Sequence, residues 1–138
     1  ALLEGLLDGT IDCIATDHAP HAKEEKAQPM TKAPFGIVGS ETAFPLLYTH
    51  FVKNGDWSLQ QLVDYLTIKP AQIFDLPYGK LEEGSYADLT IINLDEEREI
   101  RGEDFLSKAD NTPFIGYKVY GNPVLTMVEG EVKFKEDK

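Results

Sequence analysis

The sequence predicts an α/β chain, with helices dominating its first half and short strands its second. Three observations carry that prediction. The apolar run Ile11 to Thr16 suits a strand buried on both faces. Ser58 and Gln61 stand three residues apart ahead of LQQLVDYLTI, which is the spacing of a helix capping box. From Gly79 onward the chain reads as short strands separated by turns.

Taken in order, residues 2 to 8 read as the end of a helix that opens without a capping residue, and Gly9 supplies its stop. The Ile11 to Thr16 strand ends on the polar pair Asp17 and His18. Residues 19 to 39 hold Pro20, Pro29, Pro34, Gly36 and Gly39, which exclude regular structure. Irregular loops of that length usually carry function. A helix is expected from Ser40 as N-cap to about Lys53, closed by Asn54-Gly55, with Pro45 forcing a kink or a shifted start. Pro70 opens a second short helix, PAQIF, after the capped one. Strands follow at ADLTIINL, at roughly Ile115 to Tyr120, at PVLTMV and at EVKF, with a tight hairpin at Gly130-Glu131. A strand, a long loop and a helix in that order match the last unit of a (β/α)8 barrel, where functional side chains gather at the C-terminal strand ends. Asp17 occupies such an end. A single unit cannot close a barrel, so the chain is expected to be a piece of something larger.

Composition bounds the function. With 42% hydrophobic and 27% charged residues the chain is globular rather than disordered. No apolar run approaches the roughly 20 residues that cross a bilayer, and ALLEGLLDG lacks the basic start of a secretory signal. The net charge of −11 argues against nucleic acid or an anionic membrane as a main partner. The lone Cys13 cannot form an internal disulfide and fits a reducing cytoplasm; its apolar surroundings predict a buried structural thiol. His50 falls mid-helix and Trp57 reads as core, so neither is a site candidate.

The segment ATDHAPH, residues 15 to 21, gathers one carboxylate and two imidazoles at the mouth of the expected strand. Such groups suit a zinc site, in which a carboxylate both binds metal and moves a proton. On residue chemistry alone two plainer readings stand beside it. Asp17 can cap a local turn, and His18 and His21 can be ordinary loop histidines.

The order of motifs adds to this. ATDHAPH, then EEK at 24 to 26, then APFGIVGSETAFPLL at 33 to 47 resembles the dihydroorotases of the bacterial long-chain type, members of the amidohydrolase superfamily. The resemblance runs on through TIKPAQIFDLPYGKLEEGSYADLTIINLD and GNPVLTMVEGEVKF, and so covers essentially the whole chain. The later stretch is shared with hydantoinases, whereas DHAPH with EEK and PFG discriminates. What the resemblance implies is a C-terminal piece of a (β/α)8 metal-dependent hydrolase barrel in residues 1–77. Residues 78–138 would be the C-terminal strands of its small β-sandwich. It implies that Asp17 binds one zinc and shuttles the proton, and that His21 contacts the substrate's carboxylate. It further implies that the backbone at Phe35-Gly36 hydrogen-bonds the substrate, while His18 lies behind the site. The implied reaction is the reversible opening of L-dihydroorotate to N-carbamoyl-L-aspartate in pyrimidine biosynthesis. Asp17 would act first as general base and then as general acid.

The family's metal site also begins with an H-x-H pair, which His18, His21 and His50 do not form. The remaining zinc ligands are therefore expected outside this sequence, and the chain alone is expected to be inactive. Uncovered strand edges predict self-association. Two alternatives are kept. One is a non-catalytic dihydroorotase-like scaffold for aspartate transcarbamoylase; the other is a related cyclic amidase such as allantoinase, disfavoured by His21 and PFG.

Overall fold

The computed structural model describes residues 1–136. They form two interleaved compact units. The first comprises Ala1–Ala15, His50–Asn93 and the chain from Pro123 on; the second comprises Thr16–Thr49 and Leu94–Asn122. Among the described residues, no helix is long and apolar enough to cross a membrane.

The first unit begins with α1 (Leu2–Asp8), stopped by Gly9 in the left-handed conformation at φ 82. Helix α4 (Leu59–Leu66) carries the expected capping box. The Gln61 N–H donates to Ser58 Oγ at 3.1 Å, and the Ser58 N–H donates to Gln61 Oε1 at 2.8 Å. One face of α4 buries Leu62 and Tyr65, and Trp57 is buried with them. Phe51 stacks on Trp57 with ring centroids 4.3 Å apart, and Trp57 meets Tyr65 edge-on at 5.6 Å. The Tyr65 hydroxyl donates to the Leu6 carbonyl at 2.9 Å, so a buried phenol finds its partner and ties α1 to α4. Trp57 is thus core, as its sequence setting predicted.

Helix α5 (Ile68–Ile73) starts two residues before Pro70, and α3 (Ala43–Leu47) starts at Ala43 with Thr42 rather than Ser40 as N-cap. Pro45 and Pro70 are each the third residue of their helix. The first four helical N–H groups have no partner within the helix, so proline fits there without losing a bond. Local sequence places a proline in the first turn but does not fix which residue of that turn it occupies. Helix α3 runs on into a π-helical stretch, Tyr48–Val52, instead of continuing as α-helix to Lys53.

Strands β1 (Leu89–Asn93), β4 (Asn122–Val128) and β5 (Glu131–Lys135) form a sheet in the order β1-β4-β5. The β4–β5 hairpin pairs Val128 with Glu131 and Thr126 with Phe134, with a register shift between Thr126 and Met127. Its turn is Glu129-Gly130, with φ 51 and φ 80, one residue earlier than expected. Both residues are left-handed, which suits the twist of the hairpin.

In the second unit, β2 (Arg98–Glu99) pairs antiparallel with β3 (Lys118–Val119). Buried Leu46, Ile100 and Val119 form its core, with Phe105 and Phe114 against them. A single helical turn, α2 (Lys23–Lys26), interrupts the loop expected to be wholly irregular. The Glu25 carboxylate caps it by accepting the Ala22 N–H at 2.9 Å.

The largest correction concerns Ile11 to Thr16. The segment is not a strand, and its side chains are half-buried or exposed rather than buried. A strand requires a ladder partner on at least one side, and the described residues offer this segment none. Asp17 therefore does not end a strand. The only strand-like pairing near it is an isolated parallel bridge, His18 to Ile37. Cys13 is likewise half-buried rather than buried.

Candidate functional site

Every site residue expected from the sequence falls in the second unit. Asp17 sits at φ 47, a left-handed conformation that Asp tolerates better than most side chains. It is exposed, and no described residue donates a hydrogen bond to its carboxylate.

His18 faces the other way. Its Nδ1 accepts the N–H groups of Gly39 at 3.0 Å and Ser40 at 3.2 Å. Its Nε2 must then carry the proton and donates to Ser107 Oγ at 3.4 Å. The Ser107 hydroxyl in turn donates to Glu41 Oε1 at 2.6 Å, and Glu41 also accepts the N–H groups of Leu106 and Ser107. The order Glu, Ser, His superficially resembles a nucleophile triad, but the serine proton points to the glutamate and the imidazole is saturated by backbone. The network holds loops together.

Partial burial pushes the Glu41 carboxyl up, but hydrogen bonds from the Ser107 side chain and the two backbone N–H groups outweigh it and hold it below its usual range. A depressed folded-state pKa stabilises the fold above the unfolded value, and this contribution is lost as pH falls through the folded value. Glu41→Gln is therefore expected to cost stability at neutral pH and progressively less below pH ~4. Melting curves from neutral to acid pH check this, and a difference that grows on acidification refutes it.

His21 is held by two hydrogen bonds. Its N–H donates to Asn111 Oδ1 at 3.0 Å, and its Nε2 donates to the Phe35 carbonyl at 2.9 Å. Its Nδ1 faces Glu25 Oε2 at 3.9 Å, too far for a hydrogen bond. A ligand carboxylate would therefore take the Nε2 proton from the Phe35 carbonyl or meet a doubly protonated ring. The Phe35 side chain is 89% exposed, so only its backbone is built into the site.

Lys26, the last residue of EEK, donates to the carbonyls of Pro34 at 3.0 Å and Gly36 at 3.1 Å. The two sequence marks EEK and PFG are thus physically joined. Gly36 has φ 106, and a Cβ there would lie 2.5 Å from the Ala19 Cβ. Gly36→Ala is expected to destabilise by about 1–3 kcal/mol through strain and overlap. An unchanged melting temperature would show that the loop yields freely.

Asn111, Ser107, Glu41 and Lys26 escaped the sequence reading as site residues. Lys26, inside EEK, and Glu41, inside APFGIVGSETAFPLL, left a signal; Asn111 lies 90 residues from its partner His21. For a metal, the described residues contain no group of three or more His, Cys, Asp or Glu side chains. Zinc sites draw on three or four protein ligands, and of the residues the resemblance assigns to such a site only Asp17 lies in this chain. The residues present do not fit a complete metal site by themselves.

The amidohydrolase family's sequence profile matches residues 1–133. The chain is 86% identical over all 138 residues to a dihydroorotase of Staphylococcus aureus (strain Mu50) and 83% identical to one of Staphylococcus epidermidis (strain ATCC 12228). It spans only 32% of the length of each of these relatives. Among solved structures, the L-hydantoinase (dihydropyrimidinase) of Arthrobacter aurescens superposes with a TM-score of 0.89 at 38% identity. That match covers 99% of this chain and 32% of that one. The dihydropyrimidinase of Brevibacillus agri NCHU1002 follows with 0.88 at 28% identity, over 97% of this chain and 30% of its own. With its profile match over nearly the whole chain, the protein belongs to the amidohydrolase family.

Proposed function

We propose that this chain is the C-terminal third of a dihydroorotase, which opens L-dihydroorotate reversibly to N-carbamoyl-L-aspartate in the cytoplasm. The observation that carries the reading is the 86% identity to the S. aureus dihydroorotase across the full chain. The likeness to hydantoinases at 38% identity or less supports the same broad chemistry. Residues 1–77 would complete a (β/α)8 barrel, in which Ile11 to Thr16 gains ladder partners. Residues 78–138 would contribute the strands of a small β-sandwich.

Within this chain, Asp17 takes a proton from the attacking water and returns it to the leaving amide nitrogen. His21 and the N–H groups of Phe35 and Gly36 hold the substrate carboxylate; no described residue accepts a bond from either of those N–H groups. Zinc, bound mainly by residues outside this chain, would supply charge stabilisation. The chain on its own would lack activity. Exposed Leu2, Phe74 and Leu81 support self-association of the isolated piece, and aspartate transcarbamoylase is a candidate partner for the whole protein.

The test is turnover by the full-length protein with L-dihydroorotate, dihydrouracil and hydantoin side by side, together with zinc content. Preference for L-dihydroorotate supports the reading. Preference for the uncarboxylated rings overturns it in favour of another cyclic amidase. Zinc-free protein without turnover overturns it in favour of a scaffold.

A further inference from the structure

The substrate-carboxylate contacts proposed above come from two segments, the loop around His21 and the strip Phe35-Gly36. One side chain joins them. Asn111 Oδ1 accepts the His21 N–H at 3.0 Å, while its Nδ2 donates to the carbonyls of Ala19 at 3.0 Å and Gly36 at 3.3 Å. Its own carbonyl accepts the Val38 N–H at 3.0 Å. One half-buried amide thus fixes both ends of the site. The contacts use its acceptor and its donor at once, so no other side chain of this size reproduces them. A displacement of about 1 Å at groups that orient a substrate is enough to weaken their action severely.

We infer that Asn111 is a positioning residue for carboxylate recognition, acting through His21 and the Phe35-Gly36 backbone without touching the substrate. This inference rests on the proposed reading of those residues. It goes further by naming what sets the distance between them, and by stating that the effect is specific to the carboxylate.

The experiment uses the full-length protein with Asn111→Ala and Asn111→Asp. Asn111→Asp keeps the size and the acceptor for the His21 N–H but turns a carboxylate oxygen toward the carbonyls of Ala19 and Gly36. Two ligands are compared: L-dihydroorotate by KM, and dihydrouracil, the same ring without its carboxylate, by competitive inhibition. The expected result is a rise in KM for dihydroorotate of about five- to a hundredfold, the scale of lost and orphaned hydrogen bonds. Inhibition by dihydrouracil should stay within about twofold of wild type, because it lacks the group the clamp serves. Equal weakening of both ligands, or of neither, overturns the inference.

Amide hydrogen exchange of the same variants separates failure of this inference from failure of the functional reading. The His21 amide is expected to exchange at least about tenfold faster in Asn111→Ala, since its acceptor is gone. Unchanged protection overturns the clamp whatever the substrate is. If wild type binds neither ligand while exchange accelerates as expected, the Asn111 tie is real but the dihydroorotase reading falls, and the carboxylate role falls with it.

Discussion

Asp17→Asn is expected to lower kcat of the full-length protein by about 10²- to 10⁴-fold, the usual worth of a positioned general acid–base, with KM changed much less. The substitution is close to isosteric, and Asn tolerates the left-handed φ of 47 as well as Asp does. Backbone strain therefore does not explain a loss. The carboxylate is exposed and accepts no hydrogen bond from any described residue, so its oxygens are not committed to holding the fold. That is the opposite of His18, whose ring is fully engaged. A variant retaining more than a tenth of wild-type kcat would remove Asp17 from the proton path.

Leu62→Ala is expected to cost about 2–5 kcal/mol, the range for truncating a large aliphatic side chain inside a packed core. Leu62 is fully buried on α4, the same helix whose Tyr65 reaches the Leu6 carbonyl and packs on Trp57. Neighbours held by an aromatic stack and a buried hydrogen bond cannot easily close over a void. Denaturant unfolding of the full-length protein, or amide exchange along α4, measures the loss. A change below about 1 kcal/mol would mean that the site collapses and that the packing around α4 is looser than its burial shows.

Helix α4 was legible because its determinants are local. Ser58 and Gln61 lie within one turn, and the apolar spacing repeats immediately after them. The prolines were half legible, since any position in a first turn accepts them. Ile11 to Thr16 is no strand in this chain because an apolar run records a capacity for burial, while ladder partners come from elsewhere in a fold. The site divides in the same way. Asp17, His21 and Phe35-Gly36 stood out through the order of their motifs, and the structure brings His21 against Phe35. Asn111 and Ser107 were invisible because a polar residue among turns carries no mark of a partner some 90 positions away.

The two contacts on the Phe35 strip also bear on how strongly its amides can donate. Each carbonyl shares a peptide group with the next residue's N–H. The Lys26 ammonium draws on the Pro34 carbonyl, whose peptide partner is the Phe35 N–H. The His21 ring draws on the Phe35 carbonyl, whose peptide partner is the Gly36 N–H. Electron density pulled toward each oxygen is withdrawn from the adjoining nitrogen. Both N–H groups therefore become stronger donors, by about 10–30% in bond strength. An anion resting on this strip would feel the Lys26 charge through a peptide plane, without that side chain having to approach it.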